Sequence, residues 1–148
     1  MEMQTDNKNE RRSSSRHLIE NMLGERKQLL ALWLQASNLE PAHFEPEDQD
    51  LLEEFCQVLV DYIAAGHFGL YERIAAGKER RQTVAGTAKQ IYPRIEKSTQ
   101  FALEFNEKYS AENTNKTYDN LSKDLSSLGE LLSARMELED QLIEKMLA

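Results

Sequence analysis

Residues 55–72, FCQVLVDYIAAGHFGLYE, carry one apolar helical face as far as Gly66 and begin a second apolar periodicity directly after it. Leu52, Phe55, Leu59, Tyr62 and Ile63 recur at helical spacing, so they share one face. At about 100° per residue, Asp50, Glu54, Gln57 and Asp61 form a row on the opposite side, which predicts an acidic, solvent-facing strip with no cation in it. Ala65-Gly66-His67-Phe68 and then Tyr71-Glu72 bring aromatic and titratable groups beside that strip. A helix with a single apolar stripe must bury it against other helices, so the stretch points to a helical bundle.

Upstream, Leu18, Ile19, Met22, Leu23, Leu29, Leu30, Trp33 and Leu34 mark the inner face of a first helix that fades at Ser37-Asn38, before Pro41. Residues 1–16 are charged and serine-rich, with too little apolar surface to offset the entropy of ordering. They are read as a flexible polar arm on a single domain spanning 17–148. Pro46 suits the first turn of a second helix, with Glu47 and Asp48 at its positive end, and this helix is predicted to run to about Ala65.

Downstream, Phe68, Leu70, Tyr71 and Ile74 predict a short helix, with Gly66 and Gly77 as terminators on either side. An exposed basic link, Lys78-Glu79-Arg80-Arg81, leads to a helix with Ile91, Ile95, Ala102, Phe105 and Tyr109 on its inner face. Pro93, placed near its start, is expected to open or kink it. Ser110 to Lys116 reads as a loop, and a last helix turns Leu121, Leu125, Leu128 and Leu132 inwards. Period-two segments and Asn-Gly or Asp-Gly turns are lacking. The expected fold is all-α, an elongated bundle of four long helices plus one short one.

The chain has 18 Lys and Arg against 26 Asp and Glu, a net charge of −8, which opposes attraction to a phosphate backbone. Direct nucleic-acid binding is not expected; an acidic surface suits a basic protein partner instead. Cys56 is the only cysteine, so an intramolecular disulfide or a multi-cysteine zinc site cannot form, in keeping with a reducing compartment. No apolar run approaches the roughly 20 residues of a membrane helix. The opening MEMQTDNKNERRSSSR also lacks the apolar core of a secretory signal. A cytoplasmic protein with no cofactor and no membrane partner is the expectation.

Chemical motifs are few. Glu40 and His43 have the Glu-x-x-His spacing of di-iron bundles, but once only and around Pro41, so no metal site is expected. Cys56 has no base beside it and reads as a small residue at the edge of the core. Phosphate loops and nucleophile elbows are absent, and no enzymatic activity is predicted. More informative are charges that interrupt apolar stripes: Arg26 in the first helix, Arg135 and Glu139 in the last. They either pair in an Arg26–Glu139–Arg135 network, line a wet groove, or snorkel from the edge of the core. His67 either caps a helix, packs beside Phe68, or belongs to an exposed patch.

The segment 55–74, FCQVLVDYIAAGHFGLYERI, closely resembles the characteristic segment of the Rsd/AlgQ family. Leu23 with Arg26-Lys27 before Leu29-Leu30 is similar to the family's opening helix, AKQIYPRIEKSTQ (88–100) to its proline-containing helix, and LGELLSARMELEDQLI (128–143) to its last. The resemblance implies an all-helical anti-sigma protein that binds the primary sigma factor of bacterial RNA polymerase one-to-one as growth slows. It further implies contact mainly with the promoter-reading sigma domain, in competition with core polymerase and promoter DNA. Asp61 matches the family's sigma-binding aspartate. Tyr62, His67, Phe68, Tyr71 and Glu72 are then supporting contacts, with Glu54 and Gln57 as a polar rim and a monomer as the acting species. The alternative is an adaptor that binds another signalling protein or enzyme through the same acidic groove.

Overall fold

In the computed structural model the described residues are 2–71, 74, 82–113 and 116–147, with side chains from residue 16 onward and, after residue 81, from residue 84. Helix α1 spans Glu2–Ser37, α2 Pro46–Ala64, α3 Gln82–Tyr109 and α4 Leu121–Leu147. A 3-10 turn, Pro41–His43, connects α1 to α2, and a π-helical turn, Ala65–Tyr71, continues α2 without a break. Strands are absent among the described residues, and the fold is an all-α bundle.

Helix α1 begins well before its apolar periodicity, taking in the segment read as a flexible arm. That segment contains neither proline nor glycine to stop a helix. Its first residue in the core is Ile19, and the buried line continues through Met22, Leu29, Leu32 and Ala36. Leu23, Leu30 and Leu34, expected to face inwards, are instead exposed. They lie about a third of a turn round from Met22, Leu29 and Ala36, too far for one bundle-facing stripe to include both sets.

Helix α2 opens as Pro46 and its flanking acids predict: the Glu45 backbone N–H donates to Asp48 Oδ2 at 2.9 Å. Its inner face buries Leu52, Phe55, Cys56, Val58, Leu59, Tyr62 and Ile63. Gly66 does not end this helix. Ala65 before it is still in the right-handed helical region, and the chain passes directly into the π turn. Gly77 and the basic link 78–81 lie outside the described residues. Gln82 starts α3 well upstream of Pro93, so the proline sits inside the helix and removes one internal hydrogen bond there.

Two contacts hold α4 in place. The Trp33 indole Nε1 donates to the Leu125 carbonyl at 2.9 Å, and the ring covers Gly129 so closely that a Cβ there would stand 2.5 Å from Trp33 Cζ2. At the α3–α4 connection Asp124 Oδ2 accepts from Lys108 Nζ at 2.7 Å and from the Tyr109 hydroxyl at 2.5 Å. Burial pushes the Asp124 carboxyl up, but these two donors outweigh it and hold its pKa below the ordinary aspartate value.

Candidate functional site

Asp50, Glu54, Gln57 and Asp61 are all exposed along α2, as the periodicity predicts. Gln57 Nε2 donates to Asp61 Oδ1 at 3.1 Å, which orients the exposed carboxylate. Beyond the end of α2, the π turn places His67 and Phe68 on the surface, their rings edge to face with centroids 4.9 Å apart. Phe68 is 65% exposed, a large apolar surface to leave in water. Tyr62 and Tyr71 fall elsewhere: both are buried in the core. Their alternation with exposed neighbours follows helical turns and not the aromatic character that groups them in the sequence. Glu72 lies outside the described residues.

Sequence reasoning does not find Glu25, which α1 brings against the strip. Burial, and then repulsion from Asp61, raise its pKa above the ordinary glutamate value. Its buried Oε2 has no hydrogen-bond partner among the described residues. No periodicity marks this residue, because its significance comes only from the packing of α1 on α2.

Inside the bundle lies a buried ionic network. The Glu139 side chain is 0% exposed and that of Arg135 1%, so neither snorkels. Glu139 Oε2 accepts from Arg135 Nε at 3.1 Å, and Oε1 from Arg26 Nη2 at 3.5 Å. The Tyr62 hydroxyl donates to Glu139 Oε1 in a very short hydrogen bond, and the Tyr71 hydroxyl reaches Oε2 at 3.5 Å. Arg26 also donates to the Tyr62 oxygen at 3.0 Å and pairs with Asp140 at 2.5 Å; Arg135 Nη1 donates to Thr99 Oγ1 at 2.7 Å. Burial, and then the Glu139 charge, drive both tyrosine pKa values far above the phenol range, so both remain neutral donors. Burial disfavours the Arg26 charge, yet Asp140 and Tyr62 outweigh it and raise the pKa.

The network joins α1, α2, the π turn, α3 and α4 at one point, and Gly66 lies directly against it. A Cβ on Gly66 would stand 3.1 Å from both Arg135 Nη2 and Glu139 Oε2. Sequence reasoning places the three ions here but not the two tyrosines, Thr99 or Asp140.

Other chemistry is sparse. Cys56 is buried, and desolvation pushes its thiol up to about 12, which keeps it protonated and unreactive. Among the described residues no group of three or more His, Cys, Asp and Glu could hold a metal ion. None of their helices is long and apolar enough to cross a membrane. A groove of about 510 Å³ runs between the π turn and α3, lined by His67, Tyr71, Ile74, Ala88, Tyr92 and Pro93 among others. Exposed carboxylates, the exposed His67 and Phe68 rings and, among the described residues, no activated nucleophile make a surface suited to binding a protein.

Over residues 1–147 the chain matches the profile of a family described as Regulator of RNA polymerase sigma(70) subunit, Rsd/AlgQ. A protein named Regulator of sigma D from Shigella boydii serotype 4 (strain Sb227) is 38% identical over 145 residues, which cover 95% of this chain and 90% of that protein. Proteins of the same name from Shigella dysenteriae serotype 1 (strain Sd197) and Escherichia coli (strain K12 / DH10B) are each 37% identical over the same shares.

Proposed function

Because the chain belongs to the Rsd/AlgQ family and is a regulator of the sigma(70) subunit of RNA polymerase, we propose that it holds this primary sigma factor in a one-to-one complex through the acidic strip around Asp61. As a monomer in the cytoplasm, it occludes the promoter-reading domain of sigma from promoter DNA and the factor as a whole from core polymerase. No catalytic step is involved; occupancy alone lowers transcription.

The observation that carries this reading is the exposed carboxylate of Asp61, oriented by Gln57, with exposed Phe68 in the turn that follows the same helix, on a chain of net charge −8. A sigma domain that grips the DNA backbone presents arginines and lysines, which an acidic strip attracts and which the strip's own charge keeps from DNA. Glu54 and Gln57 form the polar rim, and His67 and Phe68 supply the apolar contact. Tyr62 and Tyr71 support the surface from beneath without touching the partner.

Titration calorimetry against the isolated promoter-reading domain tests this directly. The expected result is one-to-one binding that weakens with salt. Asp61→Arg should abolish it while leaving the far-ultraviolet circular dichroism unchanged, since the residue is exposed. Truncating one partner of a desolvated charge pair costs about 2–5 kcal/mol, and reversing its sign costs more. Wild-type affinity in Asp61→Arg would remove Asp61 from the interface.

A further inference from the structure

We propose that Glu139 is a positioning residue for sigma binding: from inside the bundle it fixes the π turn 65–71 and so sets where His67 and Phe68 stand relative to Asp61. This rests on the reading that Asp61 and Phe68 share one binding face.

The geometry carries it in three steps. First, an ionised carboxylate with no solvent exposure is costly, and apolar residues of similar volume commonly serve stability as well or better. A network of Glu139, two arginines and two tyrosines therefore calls for a role besides stability. Second, its partners are distributed around the binding face. Tyr62 adjoins Asp61 in α2, Tyr71 closes the π turn, and Gly66, near its start, packs with its Cα against both Arg135 and Glu139. A Cβ at Gly66 would press on both side chains, so the turn meets the network closely near its first residues, and the Tyr71 hydroxyl meets it at its last. Third, π-helical turns cost hydrogen-bond geometry and persist where the surroundings hold them. Here α1 packs along the turn, and α4 adds the polar part of the hold through the Arg135 and Glu139 side chains.

Asp61 does not depend on that hold. It lies within regular α2, whose inner face is locked by Phe55, Leu59 and Ile63. The network should thus govern the Phe68 contribution and leave the Asp61 contribution alone. Its loss should uncouple the two halves of the face instead of weakening both.

The experiment is a pair of double-mutant cycles read by calorimetry with the promoter-reading sigma domain, using Glu139→Gln as the background. In the wild-type background Phe68→Ala should weaken binding about tenfold or more, and Asp61→Asn by a similar factor. In Glu139→Gln, Phe68→Ala should cost less than about threefold, while the Asp61→Asn factor is unchanged. Tyr71→Phe, which removes one hydroxyl and no charge, should move the Phe68 factor in the same direction and stands in for Glu139→Gln if that variant does not fold. Amide hydrogen exchange gives a readout without sigma: residues 65–71 should lose protection while α2 retains it. An unchanged Phe68 factor in both backgrounds, or protection lost evenly along the chain, overturns the proposal and leaves Glu139 a structural residue. If neither Asp61→Asn nor Phe68→Ala weakens wild-type binding, the binding face itself falls, and this inference with it.

Discussion

Buried charge is the feature on which single residues in this protein are most sensitive. Arg135 and Glu139 compensate one another with almost no access to water, so removing one should be far worse than removing both. Arg135→Ala is expected to cost about 3–5 kcal/mol in urea unfolding, because Glu139 is left with the more distant Arg26 as its cationic partner. The Arg135→Met, Glu139→Leu double variant should recover much of that loss; a double variant as unstable as the single would show that the shape of the site, not its charge, is what matters. Cys56 makes the opposite case: its thiol, held at about 12 by burial, should resist iodoacetamide at mildly alkaline pH in the folded protein and react freely in urea. Asp61, Glu54 and Gln57 were legible as surface residues, because one helical period separates them from the apolar stripe. Tyr62 and Tyr71 were not. A tyrosine serves equally as core or contact, and only the distant Glu139 carboxylate decides between them. Glu25 was invisible for a related reason, since its strain exists only once α1 and α2 pack.

At the scale of elements, the four long helices could be read from apolar periodicity, and the errors fall where periodicity is locally ambiguous. Gly66 looked like a terminator because glycine usually supplies a left-handed cap. Here it supplies room instead, and what a glycine is for depends on a neighbour 69 to 73 residues away in sequence. Pro93 is expected to open or kink its helix, and of the two the opening fails, because α3 starts well upstream and continues through it. Leu23, Leu30 and Leu34 looked like core because leucine alone does not tell which of two adjacent stripes meets the bundle. Gly129 offers a test of the same kind as Gly66. With the Trp33 ring 2.5 Å from a would-be Cβ, Gly129→Ala must displace the indole and break its bond to Leu125, an overpacking cost of about 1–3 kcal/mol by thermal or urea unfolding. The α3–α4 connection has its own signature in acid. The Asp124 pKa is lower in the folded chain than in the unfolded one, so its contribution is present above the ordinary aspartate value of 3.8 and is lost as pH falls through the folded value. Asp124→Asn should therefore lower Tm at neutral pH, and the gap between variant and wild type should close in strong acid; a gap independent of pH would assign the effect to packing.

The whole molecule acts through charge and shape on different stages of the same encounter. A net charge of −8 is spread over the surface, whereas the exposed apolar ring of Phe68 occupies one spot in the turn after α2. Long-range attraction accelerates the approach of a basic sigma domain, and is screened by salt over about 10 Å at 0.1 M. Desolvation of Phe68 comes only after docking and holds the complex together. Neutralising peripheral acids, as in Asp50→Asn with Glu54→Gln, should thus lower the association rate and flatten its salt dependence, with little change in the dissociation rate. Phe68→Ala should do the converse, speeding dissociation roughly tenfold at an unchanged association rate. Stopped-flow association and dissociation at two ionic strengths separate the two effects. If the acidic substitutions instead alter only dissociation, Asp50 and Glu54 belong inside the contact, and the strip is an interface along its length and not a steering field leading to Asp61.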